Sequence, residues 1–427
     1  MRRHAFAALA ALAAMLLSGL LLPGPAAARR LFVPREHATI QAAIDAAAPG
    51  DTLWVAAGTY RGGIRVTKRL VIFGDGGPDS TILDGGDTTR VVHVEGTRMT
   101  HILGFTIRGG KAPGGGGIYC LRDTSLQISM CTIEKNWESG VAAWQCDGVS
   151  LFDNVIRENQ GSGVSIHFSN AFLRRNRFIG NRGTSGGGLA MERSKLVGQL
   201  QDCLFENNRA ESGPGGAVFA DSSALQILTC TFAGNRAHTA GGGIAAMNGS
   251  EVWVARSVFR ENRAGTGGGV HGDKSTLNVG FCIFDRNHVT AAGAAIQILG
   301  RLLANVNPII TDNTFHKDSG EAGAAVIFLE GVAPQVEKCI FVVEGQTKAV
   351  ISTRGTPVFE CNLIHDPGGG AIGTLPSATT FVGDPRFCDP EKGDFRVRDL
   401  SPANLSPCGV IGALKKACPS FTPIPAR

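Results

Sequence analysis

This 427-residue sequence is poor in charge and in aromatic rings: 18% of its residues are charged and 7% aromatic. Lys and Arg form no block, so the electrostatic footprint of a nucleic-acid-binding protein is missing and no DNA or RNA partner is expected. No CxxC pair or clustered Cys/His spacing occurs, which argues against a zinc site. Beyond residue 22 no apolar run is long enough to cross a bilayer. The paired apolar helices of a helical repeat are absent too. The ordered pieces are four to seven residues long, alternate in polarity and end in Gly or Asn, as short strands do.

Glycine is abundant, at 58 residues, and hydrophobic content is 43%. The glycine suits a fold that turns tightly and often, and the hydrophobic content excludes a disordered chain. At the N-terminus Arg2 and Arg3 precede an apolar run from Ala5 to Leu22, then Pro-Gly-Pro and Ala26-Ala27-Ala28. That is the order of a secretory signal peptide over residues 1–28, cut after Ala28, with a retained anchor as the alternative. The mature chain is then expected to be secreted or held at the cell surface, without a membrane span.

A phrase recurs through the middle of the chain. CLFENN (203–208) is followed by GGAVF, SVFREN (257–262) by GGGVH, and CIFDRN (282–287) by GAAIQ. Marker positions from Phe105 through Cys131, Asn154, Asn176, Cys203, Cys230, Ser257, Cys282, Asn313 and Cys339 to Asn362 are spaced 22 to 31 residues apart. Such drift, with insertions confined to linkers, predicts an all-β solenoid: a parallel β-helix of about a dozen coils. Phe178, Phe205, Phe232, Phe259, Phe284, Phe315 and Phe341 are expected to stack inside it. Asn136 through Asn287 are expected at left-handed turns, bonding along the axis. Residues 39–48 read as a short N-terminal capping helix with Thr39 as N-cap. The boundaries are 29–383 for the β-helix with its N-terminal cap and 384–427 for an irregular cap that closes the far end.

The stretch ATIQAAIDAAAPGDTLWVAAGTYRGGIRV…LVIFGDGG…TILDGG (38–86) resembles the N-terminal cap and first coils of pectin-lyase-like right-handed β-helix proteins. The FxxN and GG[AG][IV] phrases are also similar to repeats of polymorphic outer-membrane proteins. The resemblance implies the right-handed fold. It leaves activity open, because the fold hosts lyases, hydrolases, esterases, epimerases, tailspikes and adhesins. The Asp-Pro-His motif of alginate epimerases and lyases is missing, as are the paired-Asp and Arg signatures of polygalacturonases.

Chemistry is therefore sought on the outside. If the aliphatic after the glycines points inward, the residues one and three places later point out. Three places on, successive coils give Leu121, Trp144, His167, Glu192, Asp221, Met247 and Asp273. Beside them stand Arg122, Gln145, Phe168, Arg193, Ser222, Asn248 and Lys274, and His271 lies one place after its valine. Strand spacing of about 4.8 Å puts Glu192 one rung from Asp221, and Asp221 two rungs from Asp273. Glu192, Asp221, Asp273, Lys274, His167 and Arg193 are the candidate catalytic residues, with Trp144 and His271 as substrate contacts. Glu192 and Asp221 could hold Ca²⁺ or share acid and base roles. The plain alternative is a polar solvent face.

Five of the eleven cysteines, Cys131, Cys203, Cys230, Cys282 and Cys339, share the marker position and read as buried packing. A Cys203–Cys230 bridge has the spacing but the wrong side-chain direction. Cys388, Cys408 and Cys418 are the disulfide candidates, with one left over. Two functions follow from these features. One is an exported protein that binds or processes polysaccharide or cell-surface glycan on this face, as a lyase or glycoside hydrolase if it is an enzyme. The other is a non-catalytic, adhesin-like or envelope rod. No feature fixes the oligomeric state.

Overall fold

The computed structural model describes residues 28–122, 125–300, 308–321, 324–369, 379–415 and 417–418. Residues 1–27, nearly all of the segment expected to be a signal peptide, and the FTPIPAR tail lie outside them. One coil shows the plan. Strand Ile244–Met247 belongs to a first sheet, Glu251–Ala255 to a second, Val258–Arg260 to a third and Arg263–Thr266 to a short fourth. Each pairs in parallel with its counterpart a coil later, Ile244 with Val270, Val252 with Leu277 and Phe259 with Phe284. The sheets contain 12, 14, 14 and 6 strands among the described residues. The result is the expected all-β solenoid.

The interior is a stack of like on like. Phe178 to Phe341 form a file with ring centroids 4.5 to 5.1 Å apart and rings tilted by 1° to 21°. Each ring is fully buried, and truncating such a side chain typically costs about 3–5 kcal/mol. Helix Ile40–Ala46 buries Ile40, Ala43 and Ile44 against the first coils. Thr39 caps it, its Oγ1 accepting from the Ala42 N–H at 3.1 Å.

The corners between sheets set the register. At each corner one residue is left-handed, and the next turns its side chain inward. The left-handed residue is the one before the Asn, as at Lys135 (φ 53°), Glu158 (φ 54°) and Glu261 (φ 54°), and not the Asn itself. The expectation was off by one because the amide is needed elsewhere. The Asn136 N–H donates to Asn159 Oδ1, and the same step repeats through Asn181, Asn208, Asn235, Asn262 and Asn287. The Nδ2 groups donate to the next Oδ1 at 2.8 to 3.0 Å.

The second-to-third corner works alike with mixed residues, Cys131 N–H donating to Asn154 Oδ1 and Cys230 N–H to Ser257 Oγ. Its cysteines are reduced and buried, and burial pushes the thiols of Cys131, Cys282 and Cys339 up to about 12. Cys203 and Cys230 stay unbridged. At the first-to-second corner Ser169, Ser194, Ser223 and Ser250 do the same work, each accepting an amide from the coil before.

The asparagine file ends at Asp318, whose Oδ1 accepts from the N–H and Nδ2 of Asn287, both at 2.8 Å. Its Oδ2 is buried without a partner. It occupies the place where an Asn would turn its Nδ2 toward a main-chain carbonyl, and burial raises this carboxyl well above the usual range.

The described part of the C-terminal segment, expected to close the end of the tube, packs along its side. Its antiparallel pair, Phe387–Asp389 with Asp394–Val397, lies along the outside of the third sheet. Phe395 packs on Ile283 and on His316, and Val397 and Ile411 pack with Ile340 and Leu363. Beneath it, fully buried Asp285 is met by Arg260, Arg286 and His316. The disulfides are Cys361–Cys408 and Cys388–Cys418. Cys361, a left-handed corner residue (φ 58°) facing outward, is the missing fourth cysteine.

Two outcomes are expected. A carboxyl raised by folding contributes stability below its unfolded value, near pH 4, and loses it as pH rises through the folded value. Asp318→Asn should therefore abolish an alkaline-side loss of stability and raise it there by roughly 1–3 kcal/mol; urea melts across pH would show parallel curves if this is wrong. Non-reducing peptide maps should recover both disulfide pairs, and reduction should loosen 381–418 by roughly 3–4 kcal/mol, read by hydrogen exchange.

Candidate functional site

The outward row of the first sheet has the predicted register. Trp144 pairs with His167, His167 with Glu192, Glu192 with Asp221, Asp221 with Met247 and Met247 with Asp273. The residues beside them are the left-handed corner positions: Phe168 (φ 49°), Arg193 (φ 46°), Ser222 (φ 49°) and Lys274 (φ 51°). A left-handed corner swings its side chain away from both sheets. Corner residues therefore stand in solvent beside the row.

His271 is a correction. It is only 4% exposed, and its Nδ1 lies 2.8 Å from Gln297 Oε1. In the coils from Gly186 to Gly293 the glycine turn before the first-sheet strand doubles back over this column. Gly267 (φ 58°) runs so close that a Cβ there would sit 2.7 Å from the His271 Cβ. His271 cannot contact a substrate.

Trp144, His167, Glu192 and Arg193 do come together. The Trp144 and His167 rings stack at 4.9 Å, and Trp144 meets Phe168 at 5.5 Å. The Arg193 guanidinium lies 5.4 Å above the Phe168 ring. Trp144 and Phe168 are 39% and 44% exposed, a large apolar pair to leave in water. Phe168 was not among the predicted contacts. Its signal was an aromatic at a position that otherwise holds Arg, Gln, Ser, Asn or Lys.

An open groove of about 550 Å³ runs over this corner, lined by Phe168, Asn170, Arg193, Lys195, Ser222 and Glu251. Trp144, Glu192 and Asp221 do not line it; Glu192 and Asp221 each precede a lining residue, Arg193 and Ser222. Asp273 and Lys274 lie two rungs beyond Asp221 and do not line it. Asp221 Oδ1 accepts from Asn248 Nδ2 at 2.9 Å and from Ser222 Oγ at 3.1 Å. Among the described residues no three His, Cys, Asp or Glu side chains gather closely enough for a metal ion. Ca²⁺ takes six to eight oxygens, so Glu192 and Asp221 alone do not make its site.

His167 is held at both ring nitrogens, Nδ1 at 3.3 Å from Glu192 Oε2 and Nε2 at 2.6 Å from Ser165 Oγ. With Glu192 ionised, Nδ1 donates to it and Nε2 accepts from the serine. Hydroxyl, imidazole and carboxylate in this order resemble an acyl-transfer triad. Ser165, however, is buried, and its strand is paired on both sides. No backbone amide is left there to stabilise an oxyanion. Ser165 positions the imidazole, and His167 with Glu192 is a unit able to hold or move a proton.

The sequence matches the family described as the right handed beta helix region over residues 78–232 and 201–366. The chain belongs to the right-handed β-helix family. No curated protein matches its sequence significantly. Among solved structures this β-helix is similar to AlyGC, an alginate lyase of polysaccharide lyase family 6. The identity is 13% and the TM-score 0.52, over 84% of this chain and 54% of that one. It is also similar to the catalytic domain of a family 87 α-1,3-glucanase, at 11% identity and TM-score 0.41 over 84% and 69%. The family 87 enzyme of Streptomyces thermodiastaticus gives 14% and 0.37 over 81% and 64%. This β-helix spans about half the length of the alginate lyase. At 13% identity the alginate lyase shows a shared fold, and the fold alone.

The buried Ser165–His167 contact makes a prediction. Ser165→Ala should leave the fold intact and free the ring, so that the His167 ring nitrogens change from one tautomer to a mixture by ¹⁵N NMR; an unchanged tautomer would remove the positioning role.

Proposed function

We propose that this β-helix is an exported protein that binds polysaccharide in the groove at its first corner. The observation that carries the reading is the exposed Trp144–Phe168 pair, flanked by Arg193 and by the carboxylates of Glu192 and Asp221. Aromatic faces stack on the apolar face of a sugar ring, and the charged groups around them suit its hydroxyls. An envelope or adhesin-like rod would use the same solenoid, but it gives these rings no task. Polysaccharide-cleaving enzymes among the structural neighbours agree with this reading at the level of fold.

Cleavage is the finer reading. A lyase needs a base beside a cation that steadies the sugar acid, and the Glu192 carboxylate, backed by His167, with Arg193 supplies both. A hydrolase needs two carboxylates, and Glu192 with Asp221 supplies those. Export rests on the residue 1–28 pattern, and two disulfides are in keeping with an oxidising compartment.

A glycan array with and without Ca²⁺ selects the ligand. Trp144→Ala should then weaken it roughly tenfold. The double variant Glu192→Ala/Asp221→Ala should abolish binding or the release of new chain ends, whereas Asp273→Ala should do neither. Unchanged affinity in the first two variants would remove this groove from the function.

A further inference from the structure

A second feature lies on the far side of the glycine turns, in the fourth sheet. The residue after the ladder asparagine is Arg in four consecutive coils and His in the fifth. Arg182 pairs in register with Arg209, Arg209 with Arg236, Arg236 with Arg263, and Arg263 with His288. Strand spacing sets these groups about 4.8 Å apart, a file of about 19 Å. The four arginines are exposed, and they stand above a floor of Gly183, Ala210, Ala237 and Ala264.

The scaffold does not require this charge. In earlier coils the same position holds Trp137 and Gln160, and in the next it holds Ser319, with the backbone bonding unchanged. Like charges directly opposite one another across strands destabilise a sheet. Only one partner reduces that repulsion: Glu211, 3.0 Å from Arg209. Among the described residues Arg182, Arg236 and Arg263 have no carboxylate within ion-pair distance. A groove of about 430 Å³ lies along the file. A second, of about 590 Å³, continues from Arg182 past Gln160 to Trp137. Trp137 is 52% exposed, and its Nε1 donates to Asp87 at 2.9 Å.

We propose that this arginine file is a binding groove for a linear anionic polysaccharide, one bearing a carboxylate or sulfate on its rings, with Trp137 stacking on a ring at one end. Guanidinium forks match the geometry of both anions, and a bound polyanion would cancel the repulsion along the file. Glu158 and Glu211 within the grooves suit hydroxyl donors and oppose a nucleic acid, whose surface is continuous phosphate. The site is separate from the Trp144 groove and does not depend on it.

The test uses the full chain, with polygalacturonate, heparin, a neutral dextran, duplex DNA and anionic vesicles as probes. Polygalacturonate or heparin should bind in a salt-dependent way, and whichever binds tighter names the anion; dextran should not bind. Arg209→Gln/Arg236→Gln/Arg263→Gln should lose at least tenfold in affinity while melting no lower than the parent. Hydrogen exchange should show protection over 209–210, 236–237 and 263–266. Absence of polyanion binding, or unchanged affinity in the triple variant, overturns the proposal. So does equal or tighter binding of DNA or vesicles. Protection confined to 144–195 would also overturn it while leaving the Trp144 groove standing.

Discussion

A chain that turns three corners in every coil takes a backbone N–H out of the sheets at each one. Buried amides must be paired, and through most of the tube the partner is a side chain of the following coil. That requirement chooses Ser at the first corner, Cys, Asn or Ser at the second, and Asn at the third. It also forces the preceding residue into the left-handed region, where a side chain other than Gly or Asn sits at a cost of about 1–2 kcal/mol. Everything outside the tube inherits its position from these corners. Once they are in register, outward residues fall into files one strand apart.

The grooves follow directly. A left-handed corner residue has no sheet neighbour to pack against, so Phe168 and Arg193 stand in solvent beside the Trp144–Asp221 row. The same geometry exposes the residue after the ladder asparagine, where the arginines lie. Function on such a scaffold is written in files along the axis. A single side chain matters less there than what its neighbours one coil away present.

Much of this was legible in the sequence. The Thr39 cap follows from its local sequence, and the phenylalanine file and the rungs joining Trp144 to Asp273 follow from a period that keeps the first-sheet and third-sheet strands in register. What misled was covering and direction. His271 has the right parity to point outward, but parity does not reveal a glycine turn folding back over it. Cys361 is disguised as a repeat residue, one step before the ladder position where other cysteines pack. The C-terminal segment carries no period, so nothing told its packing along the third sheet from closure of the end. The arginine file was visible as a repeated Asn-Arg. Looking for a contiguous Lys and Arg block hid it, because arginines a whole coil apart in sequence are neighbours along an edge.

The corner ladders run one way. Within the ladders each coil leaves corner amides for its successor to satisfy and satisfies those of its predecessor, so these coils are interchangeable parts joined head to tail. A whole coil duplicated or lost leaves every donor with an acceptor, while a partial one strands donors at the seam. Length is then the property this architecture can vary most freely in descent. A groove built as a file of identical side chains lengthens or shortens with it, one binding position at a time.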